Sequence, residues 1–137
     1  MGEGATCDLF TLDINTATWS AAQLNPTNAT TGTTAAPAAP PARSYPAMAA
    51  AGGQLYVFGG CSAAGRLADL WQYDPAAGAW LQLPGCASVG ARGGSVMVAS
   101  GDGSQLFVMG GFNGDGELNK YKYLDATAQL HRIPLYM

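Results

Sequence analysis

The chain repeats itself. Gln54–Gly60 reads QLYVFGG, and 51 residues later Gln105–Gly111 reads QLFVMGG. Asp69–Pro84 (DLWQYDPAAGAWLQLP) lies over Asn119–Pro134 (NKYKYLDATAQLHRIP) at a spacing of 50, setting Tyr73 on Tyr123, Trp80 on Leu130 and Pro84 on Pro134. Asp8–Trp19 (DLFTLDINTATW) is a third copy of that segment, with Leu12 in the tyrosine place, Asp13 on Asp74 and Trp19 on Trp80. Arg43 and Met48 meet Arg92 and Met97 at a spacing of 49. A period near 50 means one supersecondary unit per repeat, a unit that cannot bury its apolar surface alone and must stack against its neighbours. The 137 residues hold two such units and the second half of another.

Each unit reads as four short strands separated by turn signals: Gly52-Gly53, Gly101 to Gly103, and Pro75 to Gly78. The first strand is rich in small residues, the second is an apolar run closed by two glycines, the third alternates aromatics, and the fourth carries Trp80 or Leu130. The spacing predicts strands near 8–13, 18–23, 46–51, 54–59, 69–74, 79–83, 94–100, 105–110, 119–124 and 129–133, with no helix longer than two turns. Alternation puts Trp71 with Tyr73, Phe10 with Leu12 and Tyr121 with Tyr123 on one face of the third strand, a face that packs against a neighbour. Tyr73 and Trp80 are expected to be mostly buried, with the Trp80 indole N–H paired. The opposite face of the last copy carries Lys120 and Lys122, as expected of a terminal repeat with a polar outer side.

In combination these residues resemble the kelch repeat: a starting arginine, an apolar run closed by Gly-Gly, a Tyr-Asp step, and a tryptophan six residues on. Arg43, Gly59-Gly60, Tyr73-Asp74 and Trp80 supply all of it in the middle copy. The last copy keeps Arg92, Gly110-Gly111 and Tyr123 but has Leu124 and Leu130 for the Asp and Trp, and the first keeps only its second half, ending at Trp19. The resemblance implies an all-β fold of kelch-type β-propeller blades, each of four antiparallel strands, in an incomplete ring. On this reading 1–24 is the second half of a blade, 25–42 an inter-blade loop, 43–84 a complete blade, and 85–137 a complete but degenerate one. A partial ring exposes apolar sheet at both ends, so the chain is expected to associate with itself, with a protein partner or with additional blades.

Composition fits short buried strands and tight turns: 48% hydrophobic residues, 11% charged and 19 glycines. The net charge of −3 and the absence of a basic patch argue against nucleic acid and anionic membrane as partners. Cys7, Cys61 and Cys86 form no CxxC pair and read as reduced thiols of a cytoplasmic protein. Asn25–Ala42 holds six Ala, five Thr and four Pro with no charge, and reads as a flexible or polyproline-like loop.

No catalytic constellation emerges. His131 is the single histidine, too few for a zinc or facial-triad iron site or for the copper radical site that some propellers of this type carry. No Ser-His-Asp set, P-loop or dinucleotide fingerprint is present, and no metal or other cofactor is expected. Asp13, Asp74 and Asp125 stand at strand–turn junctions, where carboxylates cap turns.

Strand parity then sorts the loops. The longer and more varied ones, Gly60–Ala68 and Gly111–Leu118 with the insertion, share one end of the sheets, and long loops on a rigid scaffold are where binding sits. The residues expected to bind there are Arg43, Tyr45, Arg66, Arg92, Asn113 and Asp115. The leading function is a non-catalytic protein-interaction module that holds a partner on this loop face. Two other readings stay open: a piece or subunit of a larger propeller enzyme of sugar-oxidase or iron-assisted specifier type, and a truncated gene product with no independent function.

Overall fold

The computed structural model describes residues 6–22, 39–85, 88–114 and 130–134. Among the described residues eleven strands run in the order β1 (Phe10–Asp13), β2 (Thr18–Ala21), β3 (Ala47–Ala51), β4 (Gln54–Phe58), β5 (Cys61–Ser62), β6 (Gly65–Arg66), β7 (Leu70–Asp74), β8 (Ala79–Leu83), β9 (Gly93–Ala99), β10 (Gln105–Phe112) and β11 (Leu130–Pro134). Every pairing among them is antiparallel, and the described residues form no helix. The middle repeat is a four-stranded meander in the order β3-β4-β7-β8. The first copy is a hairpin, β1-β2, whose register Leu12↔Trp19 reproduces Tyr73↔Trp80 of β7-β8. The predicted strand at 119–124 lies outside the described residues, as do Lys120, Lys122, Tyr123 and Asp125 and most of the insertion.

Two features depart from the sequence reading. β5 and β6 form an extra two-stranded hairpin inside the loop that follows the first diglycine. And β11, expected as the outermost strand of its sheet, pairs directly with β10 (Val108↔His131), in the position β7 takes beside β4. A ladder is made of backbone groups common to all residues, so repeat spacing alone does not decide which of two strands fills it.

The core lies between the middle and third sheets. β3 and β9 run side by side, and Ala47, Ala51, Tyr56, Phe58 and Leu70 of one sheet pack against Met97, Leu106 and Val108 of the other, with Val89 sealing the connection. The small residues of β3 permit that approach. On the other face of the middle sheet Val57, Trp71 and Tyr73 are buried. Trp80 is only partly buried, its ring 5.0 Å from that of Tyr73. The indole donating a hydrogen bond within the sheet is that of Trp71, to Asp69 Oδ2 at 2.6 Å. Trp80 sits on the outermost strand, whose far edge meets no further strand among the described residues, so it keeps part of its surface in solvent.

Candidate functional site

The loop face is held together from below by the repeat's own polar residues. Arg43 is only 9% exposed. Its Nη1 donates to Gly59 O at 2.8 Å and to Asp69 Oδ1 at 2.7 Å, its Nη2 to Asp69 Oδ2 at 2.8 Å, and its Nε to Pro41 O at 3.0 Å. Burial by itself would raise the Asp69 carboxyl. The hydrogen bonds from Arg43 and Trp71 and the guanidinium charge outweigh it, and the pKa falls below the ordinary carboxylate value. Arg92 repeats the pattern one unit later, Nη1 donating to Gly110 O at 3.0 Å and Nη2 to Val89 O. Burial lowers its pKa. Both arginines thus close the diglycine corner of their own sheet from inside.

The diglycine corner is a point of close approach. Gly59 and Gly60 have φ of +61° and +103°, and a Cβ on Gly59 would stand 2.5 Å from Arg92 O of the next sheet. Gly60 N donates to Arg92 O at 2.8 Å, and Arg92 N donates to Leu67 O at 3.0 Å. The glycines therefore weld the middle sheet to the third.

Above this corner a circuit of contacts surrounds an exposed patch. Ser44 bridges Cys61, Cys61 pairs with Arg66, and the Arg66 guanidinium stacks over the Phe112 ring at 4.3 Å. Phe112 pairs with Gly93, and Gly94 N donates to Tyr45 O at 2.9 Å, which closes the circuit. Arg66 Nη1 also donates to Cys61 Sγ at 3.0 Å. Tyr45 is 74% exposed and held at φ 54°, a left-handed conformation that costs a non-glycine residue about 1–2 kcal/mol. Phe112 is 39% exposed, and Asn113 follows it at the surface.

Of the residues expected to bind, Tyr45, Arg66 and Asn113 thus reach this surface, while Arg43 and Arg92 turn inward. Asp115 lies outside the described residues. Phe112 was not anticipated. Its signal was present: it follows the second diglycine as Cys61 follows the first, an aromatic where a turn residue would serve. Asp74 Oδ1 accepts from Ala76 N and Ala77 N, and Asp13 Oδ1 from Asn15 N and Thr16 N, so both cap their hairpin turns. Among the described residues no three His, Cys, Asp or Glu side chains converge as a metal site would require.

The sequence model of the KLHDC2/KLHL20/DRC7 Kelch-repeats domain matches residues 2–133, nearly the whole chain. The chain belongs to the kelch-repeat family. No curated protein matches it. The kelch signature residues now have physical tasks: the starting arginine ties off the diglycine carbonyl, the diglycine admits the next blade's backbone, and the Tyr-Asp step supplies a buried ring and a turn cap.

Proposed function

We propose that this kelch chain is a non-catalytic interaction module that holds a protein partner on its loop face, with Tyr45, Arg66, Phe112 and Asn113 as the contact surface. Kelch-repeat domains generally mediate protein–protein interaction. The observation that carries the finer reading is Tyr45, an exposed aromatic kept in a strained backbone conformation by contacts on both sides. Beside it a guanidinium stacked on an aromatic ring offers a rigid, partly desolvated cation. Aromatic and arginine side chains of this kind dominate binding energy at interfaces. Arg43 and Arg92 serve the site by fixing its floor.

Photo-crosslinking tests this. A benzophenone amino acid at position 45 should give discrete protein adducts in cells, and the same group at position 102, in the tight turn at the opposite end of the sheets, should not. Arg66→Ala should weaken the adducts from position 45. Equal adducts from both positions would defeat the assignment.

A further inference from the structure

An asparagine followed by glycine is a pair open to attack by its own backbone. The glycine nitrogen can reach the side-chain carbonyl carbon, and no Cβ stands in the way. The sequence holds a single Asn-Gly pair, Asn113-Gly114, and it lies just past the end of β10. Asn113 is exposed, and Gly114 stands at φ +85°. Arg66 Nε is 3.4 Å from where a Cβ on Gly114 would be. The guanidinium is held there by its stack on the Phe112 ring and its hydrogen bond to Cys61 Sγ.

Two other pairs in the chain are arranged so as to resist the same attack. Asn15-Thr16 sits in an exposed turn, but Thr16 N donates to Asp13 Oδ1 at 3.1 Å. A carboxylate on that proton opposes its loss, and the branched threonine crowds the approach. Asp102-Gly103 has the glycine but lacks the electrophile. Hydrogen bonds from Ser100 and Ser104 hold the pKa of the Asp102 carboxyl down to about 2, so it is ionised at neutral pH and has no good leaving group. Gly103 N is also committed, donating to Ser100 O at 2.9 Å. At Asn113-Gly114 the side chain is a neutral amide, and the fixed charge beside the glycine is a cation.

We propose that Asn113-Gly114 is a self-modifying site, where the chain converts a neutral amide into a carboxylate with water as the sole co-reactant and Arg66 favouring the step. Gly114 N gives up its proton and bonds to Asn113 Cγ. The Cγ–Nδ2 bond breaks, ammonia leaves with that proton, and a cyclic succinimide remains. Water then opens the ring at either carbonyl, its hydroxyl going to carbon and its hydrogen to the Gly114 nitrogen. Opening at Cγ restores the ordinary backbone with aspartate at position 113. Opening at the main-chain carbonyl leaves isoaspartate, with an added carbon in the backbone. The Arg66 cation stabilises the anionic nitrogen and the oxyanion that follows it. Either product adds a negative charge beside the Arg66–Phe112 stack. The reaction is the chain's own and stands whether or not the loop face holds a protein.

The test incubates the full chain at neutral pH and maps its peptides by mass spectrometry, with chromatography separating aspartate from isoaspartate. Asn113 should convert about tenfold or more faster than Asn15, and position 102 should yield no isoaspartate. Arg66→Gln should slow conversion of Asn113 about threefold or more in the folded chain but leave its rate in urea unchanged, which separates the cation's effect from that of the sequence. Arg66→Lys, which keeps the charge, should stay near the parent rate. The proposal is overturned if Asn113 converts no faster than Asn15, or if it converts only in the urea-unfolded chain. It is overturned too if folded Arg66→Gln converts like the parent, or if Arg66→Lys is slowed as much as Arg66→Gln.

Discussion

Single residues in this chain carry tasks that their type alone does not disclose. Arg43 stands at the loop end of its strand and reads as a binding residue, yet Asp69, 26 positions later, takes both ends of its guanidinium. Nothing in the spacing announces that pair, because the two residues meet only when the β4–β7 ladder forms. Asp69→Ala strands a buried guanidinium and should lower stability by about 3 kcal/mol in denaturant titration, in the range for breaking a buried ion pair from one side. The pair also sets a pH dependence. Its carboxyl is depressed in the folded state, so its contribution is complete above the unfolded value near 4 and is lost as pH falls through the lower folded value. Wild type should therefore lose stability relative to Asp69→Ala below about pH 4, and parallel acid titrations of the two would contradict this. Ala17 is a second instance. It occupies the place of Gly78 with φ 53° against 62°, a conformation glycine adopts without strain. Ala17→Gly should stabilise the β1-β2 turn by roughly 0.5–1 kcal/mol, read as slower amide exchange at Thr18 and Trp19.

At the level of strands, sequence reading works where the period of two and the turn residues agree, as in β3, β4, β7, β8 and β9. It fails at β5-β6, where CSAAGR holds only two paired positions on each side of its turn and shows no alternation. It places β11 within a residue but not its partner, since hydrogen-bonded ladders accept either candidate strand. Aromatic burial follows strand position rather than motif membership. Trp71, on an interior strand and 6% exposed, should cost about 3–5 kcal/mol when changed to Ala. Trp80, on the outermost strand and partly exposed, should cost clearly less, by thermal melts of the two variants. Equal costs would mean that Trp80 packs more completely than its strand position allows.

For the molecule as a whole, the repeat alone made the stacking of sheets legible, and loop parity made three of the four proposed contact residues legible. Phe112 escaped because an aromatic directly after a diglycine shows its use only once the β5-β6 hairpin carries Arg66 over its ring. On the outer face of the third sheet Val96, Val98 and Met109 are 55%, 58% and 44% exposed. Light scattering should show mass rising with concentration, and Val96→Lys with Val98→Lys should suppress the rise while keeping the fold. Recognition is proposed to sit on the loop face above the diglycine corners. Amide exchange of the chain bound to the partner captured through position 45 tests it most directly. Protection is expected at Tyr45, at Arg66 and across Phe112 and Asn113, with the Gly52-Gly53 and Gly101–Ser104 turns unchanged. A footprint centred on those turns, leaving Tyr45 and Arg66 unprotected, would contradict it.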